Sequence, residues 1–227
     1  MDKVNDMLED LKPCPLCLSL NSYLFYVSTR KNLERKYYKC DVCFMVFVPR
    51  EFHISPTQQK LRYLEHENDI NNQDYRSFLS PVVKAMLPNI KAGDTGLDYG
   101  SGPGPALAQM LSDCGMIMSI YDIYFNDDPV VFNEKYDFIT CTETVEHFVN
   151  PYCDFEKMIA LIKPKGVLAI MTSILYEDID FENWYYNLDP THVSFYTPDT
   201  IGWIANKWEL DPHSPSKNIF ILRKKNN

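Results

Sequence analysis

The stretch TGLDYGSGPGPALAQML, residues 95–111, places a strand pattern, a glycine-rich turn and a helix pattern in direct succession. TGLDY has the apolar character of a buried strand, and PALAQML that of a helix packed against it. In such a strand–turn–helix arrangement, backbone N–H groups and a closely approaching backbone accept a nucleotide or a similar ligand. The stretch therefore predicts the first strand, loop and helix of a ligand-binding α/β domain.

The sequence that follows continues to alternate between strand and helix patterns. Strands are predicted, in chain order, in SIYDIYF, in YDFITCTE, in GVLAIMTSI after a KPKG turn, and in KNIFILRKK. Alternation of this kind implies a mostly parallel sheet with ligands at the carboxyl ends of the strands. We expect a Rossmann-like, doubly wound α/β domain over residues 93–227, with an antiparallel C-terminal strand.

The spacing of the glycines narrows the class of ligand. The pattern D-x-G-x-G-x-G from Asp98 to Gly104 differs from G-x-G-x-x-G, and Pro103 lacks the N–H that a phosphate would use. Asp122 follows Gly104 by eighteen residues and ends the second strand, where an acidic side chain accepts hydrogen bonds from ribose hydroxyls. A nucleoside cofactor without phosphates fits this turn best.

Two C-x-x-C pairs separated by twenty-two residues stand near the N-terminus. Each tight turn aims two thiolates at one point, which suits tetrahedral zinc. The strand-like segments YLFYVST and ERKYYKC between them complete a zinc ribbon over residues 1–54. Reduced thiols and a redox pair are the alternatives to this closed structural site, whose predicted ligands are Cys14, Cys17, Cys40 and Cys43.

Residues 55–92 have a helical pattern and are predicted to connect the ribbon to the α/β domain. One buried stripe is expected at Tyr75, Phe78, Leu79, Val82, Val83 and Met86. The polar positions form either the wall of a lid over the ligand or an exposed helix face, and they include Tyr63, His66, Asn68 and Tyr75.

Charge and hydropathy limit the partners. The formal net charge is −9, with +2 in residues 1–60 and −11 in the remainder. Nucleic-acid affinity depends on Lys and Arg that neutralise phosphates, so a broad nucleic-acid interface is not expected. No apolar run approaches the ~20 residues of a membrane helix, and MDKVNDMLEDLK lacks the pattern of a secretory signal. We expect a cytoplasmic protein with no membrane partner; its oligomeric state is open.

Four segments together resemble the class I S-adenosylmethionine-dependent methyltransferases: LDYGSGPGPALAQML, YDIYF, YDFITCTETVEHFVNP and KPKGVLAIMTS. The resemblance covers roughly residues 60–227. More narrowly, the cysteine pairs, RYLEHEND and WYYNLDPTHVSFYTPDT resemble a group of small bacterial methyltransferases with an N-terminal zinc ribbon. The resemblance implies that S-adenosylmethionine is the cofactor and that zinc is structural.

The resemblance also implies roles for individual residues. Asp98 would anchor the glycine loop or the cofactor ammonium group, Asp122 would take the ribose hydroxyls, and Ile123 would be a further cofactor contact. The loop under the methionyl part of the cofactor would comprise Gly100, Ser101, Gly102 and Gly104. The rim beside the sulfonium would comprise Cys141, Thr142 and Glu143. Tyr75 would be a further cofactor contact. Only thirteen residues separate Asp122 from Tyr136, so the adenine contacts are open, with Asp127, Asp128, Tyr124 and Phe125 as candidates.

Methyl transfer from a sulfonium is an in-line displacement that needs alignment and, for some acceptors, a base. His192 in DPTH is the preferred base and His147 in ETVEH the second candidate, with Tyr186 as a further catalytic candidate. If ETVEH is helical, Glu143 and His147 share a face. E-x-x-E-H resembles an inverted zinc-protease motif without its first His, so no catalytic metal is expected there, and a structural or supporting role is favoured for His147.

The loop NWYYNLDPTHVSFYTPDT, residues 183–200, has two interpretations. Aromatic side chains around Asp189 and His192 predict a small-substrate pocket. Alternatively, Asp189 bonds backbone amides, Thr197 caps a helix that starts at Pro198, and the aromatics are core. The aromatics are Trp184, Tyr185, Tyr186, Phe195 and Tyr196.

Three functions are compatible with these patterns. The leading one is methyl transfer to an oxygen, nitrogen or carbon atom of a small molecule. The second is an RNA methyltransferase whose ribbon docks the substrate through Lys31, Arg35, Lys36 and Lys39, with Tyr37 and Tyr38 stacking on bases. A solvated hairpin explains those residues better, given the acidic remainder. The third is a non-catalytic cofactor-binding protein.

Overall fold

The computed structural model describes residues 12–65 and 69–225 and divides them between two compact units. The ribbon unit comprises the residues up to Ile54, Glu146–Asp154 and Ser173–Trp203. The sheet unit comprises Ser55–Val145, Phe155–Thr172 and the chain from Ile204 onward. This division differs from boundaries at 1–54, 55–92 and 93–227, because two segments from the C-terminal half belong to the ribbon unit. His66 and Asn68 of the expected lid lie outside the described residues.

Strands and α-helices follow one another along the described chain. In chain order they are β1 Ser22–Ser28, β2 Arg35–Cys40, β3 Val46–Phe47, α1 Pro56–Leu64, α2 Gln73–Met86, β4 Thr95–Tyr99, α3 Ala106–Asp113, β5 Ile117–Tyr121, β6 Tyr136–Thr142, α4 Pro151–Leu161, β7 Ile162–Met171, β8 Ser194–Phe195, α5 Pro198–Lys207, β9 Leu210–Ser216 and β10 Ile219–Lys224. No helix within the described ranges is long and apolar enough to cross a membrane.

The ribbon unit is built on a four-stranded antiparallel sheet in the order β1-β2-β3-β8. Strands β1 and β2 form the hairpin that was predicted between the cysteine pairs. Strand β8 comes from the distant aromatic loop and pairs Val46 with Phe195. The backbone N–H of Val48 also donates to Val193 O at 2.9 Å. These bonds extend the ribbon sheet with a strand that lies about 150 residues further along the chain.

Aromatic side chains fill the core of the ribbon unit. Phe181 packs edge to face on Tyr37, with ring centroids 4.9 Å apart, and on Phe195 at 5.6 Å. Trp184 and Tyr186 belong to the same buried cluster. Aromatic pairs of this geometry contribute about 0.5–1.5 kcal/mol each beyond the area that they bury. The loop at residues 183–200 is therefore anchored by its own aromatics.

The sheet unit contains a six-stranded sheet in the order β5-β4-β6-β7-β10-β9. Strands β5, β4, β6 and β7 are parallel, while β10 pairs antiparallel with β7 and β9. The predicted mostly parallel α/β sheet with an antiparallel C-terminal strand is thus confirmed. Strand β9 was not predicted, since its sequence LDPHSPS contains two prolines; it lies at the sheet edge, where a missing N–H is tolerated.

Two local expectations need correction. The KPKG segment is not a turn ahead of the fourth strand, because Ile162–Met171 is one strand in which Lys165 adopts a φ of 66°. The stripe on α2 is narrower than expected: Leu79, Val82, Val83 and Met86 are buried, whereas Phe78 is 49% exposed. The buried members pack with α3 and the sheet in one core cluster.

The strand order creates a switch point. The chain passes from β4 to its neighbour β5, then crosses back to place β6 on the other side of β4. The loops that leave β4 and β6 therefore diverge, which opens a crevice at their carboxyl ends where ligands bind in open α/β sheets. The glycine turn follows β4 directly, so the fold places it at this crevice.

Candidate functional site

The glycine turn has a backbone that a side chain would disrupt. Gly100 and Gly102 have φ values of 83° and 64°, in the left-handed region. A Cβ on Gly100 would lie 2.2 Å from Cγ2 of Thr144. The hydroxyl of Thr144, after β6, lies within hydrogen-bond distance of Thr142 O, at 2.8 Å, and of Gly100 O, at 3.2 Å. The turn is thus held against the end of β6, and only glycine fits at position 100.

Asp122 ties the glycine turn to the end of β5. Its Oδ2 accepts the N–H of Gly102 at 2.9 Å, and its Oδ1 accepts those of Tyr124 at 2.8 Å and Phe125 at 3.1 Å. A carboxylate has about four acceptor sites, so three amides leave room for a hydroxyl donor. The loop-tethering role was not foreseen from the sequence, and the predicted ribose contact stays a prediction.

Asp98 and Ser101 are buried polar groups beside this turn. Thr140 Oγ1 donates to Asp98 Oδ1 at 2.7 Å. Burial raises the pKa of Asp98 to about 6, the hydrogen bond from Thr140 opposes this rise, and the charge of Asp122 adds to it. Ser101 Oγ has no hydrogen-bond partner within the described part of the chain. Because buried hydroxyls are normally bonded, this atom marks a place for a ligand group.

Helix α2 and strand β6 bring further predicted residues to the same crevice. The pKa of Tyr75 is raised to about 12 by burial and then by the charges of Asp98 and Glu143. Glu143 has a φ of 46° and its N–H donates to Met171 O at 2.8 Å, so it turns the chain out of the sheet. Thr142 is half-buried, while Cys141 is completely buried and offers no exposed side chain.

The segment after Asp122 contacts helix α1. The hydroxyl of Tyr124 donates to Gln59 Oε1 at 2.8 Å, and its ring lies 5.6 Å from that of Tyr63. Ile123 is 64% exposed. Asp128, an adenine candidate, accepts the N–H of Val130 and so caps a short 3-10 helix. Of the other adenine candidates, Asp127 is exposed and Tyr124 and Phe125 are half-buried.

Outside this crevice, the four predicted zinc ligands converge in the ribbon unit. Their sulfur atoms all lie within 4.8 Å of one another, with Cys14–Cys43 and Cys17–Cys40 pairs at 3.4 Å. Zinc with four bonds of about 2.3 Å at the tetrahedral angle separates sulfurs by about 3.8 Å, so the donor set fits this ion. The thiol–thiol hydrogen bond lowers the pKa of Cys14 to about 6 and raises that of Cys43, and burial raises that of Cys17 to about 12.

A second convergence joins Glu146, His147 and His192, whose ligand atoms lie within 4.8 Å of one another. The segment Val145–His147 is a 3-10 turn, so Glu143 and His147 do not share the face of a helix as expected. The two imidazole rings are 4.8 Å apart. Burial lowers the pKa of His147 to about 4, although the charge of Glu146 opposes the shift. Sequence reasoning missed Glu146, because nothing local connects it to His192.

Arg35 fixes the loop that carries His192. This buried guanidinium donates to the carbonyl oxygens of Asn187 at 2.8 Å and Asp189 at 3.2 Å, and to the Tyr37 hydroxyl at 2.7 Å. Arg35, Tyr37 and Tyr38 are all buried, so they are not available for phosphate contacts or base stacking. Of the four basic residues considered for RNA, Lys31 is exposed and Lys36 and Lys39 are half-buried.

The polar residues of the same loop organise its backbone. Asp189 Oδ1 accepts two hydrogen bonds from Thr191, one from the backbone N–H at 2.8 Å and one from the side-chain hydroxyl at 2.5 Å. Thr197 Oγ1 accepts the N–H of Thr200 at 3.1 Å and caps α5. These are the contacts that the turn interpretation predicted.

The loop aromatics are core rather than the wall of a pocket, apart from Tyr185, which is 70% exposed. Tyr186 is 3% exposed, and its ring packs 4.2 Å from that of His192. The structure thus shows Tyr186 packed against a candidate base. Its predicted catalytic role is not tested by this contact.

The chain is similar in sequence to a methyltransferase family model and in structure to known methyltransferases. The family model described as "Methyltransferase domain" matches residues 71–214. An O-methyltransferase family protein from Burkholderia thailandensis is similar in structure, with a TM-score of 0.50, 15% identity and coverage of 67% of this chain and 57% of that chain. A SAM dependent methyltransferase from Archaeoglobus fulgidus has a TM-score of 0.46 and 21% identity, covering 60% of this chain and 69% of its own.

At these identities the structural similarity shows the fold alone. The chain spans 57% of the length of the Burkholderia protein. No curated protein sequence matches the chain.

Proposed function

The chain belongs to the class I S-adenosylmethionine-dependent methyltransferases, and from this premise we propose that it methylates an oxygen, nitrogen or carbon atom of a small molecule. The observation that carries the proposal is the crevice between β4 and β6. There the Gly100–Gly104 turn, the buried hydroxyl of Ser101 and the carboxyl groups of Asp98 and Asp122 come together.

The residues of the crevice suit a cationic nucleoside. When bound, S-adenosylmethionine supplies an electrophilic methyl group on a positive sulfonium. Asp98 and Glu143 provide negative charge for its ammonium and sulfonium groups, and Ser101 Oγ provides a buried hydrogen-bonding atom. The remaining acceptor capacity of Asp122 suits a ribose hydroxyl. Glycine at position 100 keeps the turn free of a Cβ, so its backbone can approach the cofactor closely.

A small acceptor agrees better with the surface than RNA does. The net charge is −9, and three of the six residues considered for RNA contacts are buried in the ribbon unit. Polyanion binding draws on an excess of cations, whereas this sequence has 22 Lys and Arg against 31 Asp and Glu. The ribbon unit itself has eight Lys and Arg against fifteen Asp and Glu, a formal net charge of −7 that would repel a phosphate backbone.

In the metal-free protein, removal of a proton from the acceptor is assigned to His192, with His147 as the alternative. Each ring places Nδ1 near a backbone carbonyl, Tyr186 O at 2.6 Å for His192 and Thr191 O at 3.1 Å for His147. A carbonyl only accepts, so Nδ1 carries the hydrogen and Nε2 of the neutral ring carries the basic lone pair. The low pKa of His147, about 4, makes it a weak base at neutral pH.

The ribbon is proposed to hold one structural zinc ion through Cys14, Cys17, Cys40 and Cys43. Four thiolates fill a tetrahedral zinc, so this ion has no open position for a substrate. Its contribution is to fold a segment whose first hairpin strand, Ser22–Ser28, is mostly exposed or half-buried.

Calorimetry on zinc-replete protein tests the cofactor assignment. We expect S-adenosylhomocysteine to bind wild type, and Asp122→Asn to weaken binding by at least about tenfold, since one charge-assisted hydrogen bond is worth about 1.5–3 kcal/mol. Glu134→Gln, which alters an exposed carboxylate between β5 and β6, is the matched control and should bind like wild type. Absence of heat with wild type, for both this nucleoside and its methylated form, would refute the proposal.

A further inference from the structure

We propose that Glu146, His147 and His192 bind a divalent transition-metal ion at a site separate from the four cysteines. One carboxylate and two imidazoles are brought within 4.8 Å of one another by two segments, residues 146–147 and residue 192, that have 44 residues between them. This set of one acidic and two histidine ligands is used by catalytic zinc and by non-haem iron.

The tautomers of both histidines suit metal binding. Nδ1 of His147 lies 3.1 Å from Thr191 O, and Nδ1 of His192 lies 2.6 Å from Tyr186 O. These carbonyls require hydrogen on Nδ1, which leaves the lone pair of each neutral ring on Nε2. Metal-bound histidines show the same arrangement, in which the second ring nitrogen donates to a carbonyl or carboxylate and fixes the ring.

Burial and charge favour a cation at this place. Glu146 is 1% exposed and His192 is 9% exposed. A buried carboxylate is costly unless a partner or a metal ion compensates its charge. Asp189 adds a second negative charge that acts on His147. Two imidazoles and two carboxyl groups therefore meet in a largely buried place that suits a cation.

The surroundings hold the ligands in place. Arg35 donates to the carbonyls of Asn187 and Asp189, and Asp189 in turn accepts from Thr191, whose carbonyl orients His147. The N–H of Val193 donates to Glu146 O at 2.9 Å, which ties the two ligand segments together. An ion with bonds of about 2.0–2.2 Å separates neighbouring ligand atoms by about 3.3–3.6 Å, so binding requires a contraction of up to about 1.5 Å.

Three protein ligands leave at least one coordination position open, unlike the four cysteines. Such an ion acts as a Lewis acid and lowers the pKa of a bound hydroxyl group. The ion and a proton compete for the same Nε2 lone pairs, so a metal-loaded site removes His147 and His192 as bases. The inference does not depend on methyl transfer, because metal content can be measured on the protein alone.

Metal analysis of the full-length protein, dialysed after loading with Zn²⁺, gives the direct test. We expect two zinc ions per wild-type chain, one for the cysteines and one for the three new ligands. Replacement by Co²⁺ separates the two: thiolate ligands give intense charge-transfer absorption, whereas the carboxylate–imidazole site adds only weak d–d bands. A wild-type chain that holds one ion overturns the proposal.

Variants identify the site. Glu146→Gln and His192→Gln should each reduce the content to one ion and leave the thiolate absorption unchanged, which also shows that the ribbon is folded. His53→Gln is the matched control, since His53 is a half-buried histidine of the same unit whose Nε2 lies 2.7 Å from Val48 O. It should retain two ions. If the second ion persists in both ligand variants, it binds elsewhere and the proposal fails.

Discussion

The glycine turn of the sheet unit and the histidine cluster of the ribbon unit are two candidate sites that are built in different ways. The turn consists of consecutive residues, Gly100 to Gly104, held by one carboxylate twenty residues away. The cluster joins residues 146–147 to residue 192, and its backbone is fixed by Arg35, more than 100 residues earlier. The first site is specified locally by φ angles, and the second by the path of the whole chain.

This difference determines how each site should fail. A substitution in the turn acts through backbone strain and direct contact with Thr144, so its effect should be confined to the crevice. A substitution in the ribbon unit acts through a network of buried hydrogen bonds and through the proposed zinc. The following variants, ordered from the largest expected effect to the smallest, test that contrast.

Cys40→Ser should have the largest effect, and it should fall on the ribbon unit. Loss of one thiolate removes the proposed zinc, whose apparent binding free energy in small zinc domains is on the order of 10 kcal/mol. We expect zinc content to fall by one ion per chain and amide hydrogen exchange in β1 and β2 to lose its protection. Cys153→Ser, at an exposed thiol, should change neither quantity. Retained protection without zinc would contradict the structural role.

Gly100→Ala should destabilise the sheet unit by about 2–5 kcal/mol, the sum of left-handed strain and of overpacking against Thr144. Gly93→Ala separates the two causes, because Gly93 also has positive φ, 88°, but no atom lies within 4 Å of its Cβ. That control should cost only about 1–2 kcal/mol. Urea unfolding measures the stability of the two variants, and calorimetry measures their affinity for S-adenosylhomocysteine. Equal costs for the two variants would rule out the close contact as a cause.

Arg35→Met should destabilise the ribbon unit by about 2–4 kcal/mol. The buried guanidinium donates to the carbonyl oxygens of Asn187 and Asp189, and the substitution leaves both without this donor. Lys31→Met, an exposed cation on the same hairpin, should change stability by less than about 0.5 kcal/mol. Thermal unfolding of both variants provides the measurement. If instead both lowered retention on immobilised RNA equally and neither changed stability, Arg35 would be a surface residue and the assignment would be wrong.

Asp98→Asn should have the smallest effect on stability and the opposite sign. The ordinary pKa of this carboxyl group is 3.8, and in the folded protein the pKa is about 6. The group therefore binds its proton more tightly in the folded state. Its charge therefore opposes folding above about pH 6, and that cost is absent below about pH 4. We expect the variant to gain about 1–3 kcal/mol at pH 7.

Unfolding at two pH values tests this sign. The gain of Asp98→Asn should disappear at pH 4, where the wild-type carboxyl is protonated when folded. Thr140→Val is the companion variant, because it removes the hydrogen bond that stabilises the charged carboxylate and should raise the pKa further. A gain for Asp98→Asn that is equal at pH 4 and pH 7 would show that titration is not its cause.

The sequence predicted the parts of the fold that repeat or depend on neighbouring residues. Strands β4, β6 and β7 were visible as apolar runs, and the turn after β4 as closely spaced glycines, because strand periodicity and positive φ are local properties. The cysteine pairs were recognised for the same reason. Strand β9 was missed because its prolines contradict strand propensity, which an edge position overrides.

Side-chain exposure was less predictable. Tyr37, Tyr38 and Arg35 have the composition of a nucleic-acid surface, yet β8 and the aromatic loop bury them. Phe78 has helical spacing that predicts burial, but it lies at the edge of the stripe and is exposed. Composition gives the chemistry of a side chain, while burial depends on which distant segment packs over it.

By itself, the sequence determined the α/β architecture, the glycine turn with Asp98 and Asp122, and the four cysteines. Only the tertiary structure decided that Glu146 and His147 meet His192, and that Arg35 supports the loop between them. The physical reason is distance along the chain. Backbone conformation is set within a few residues, whereas a site assembled from remote segments exists only after the sheets have formed and closed the intervening loops.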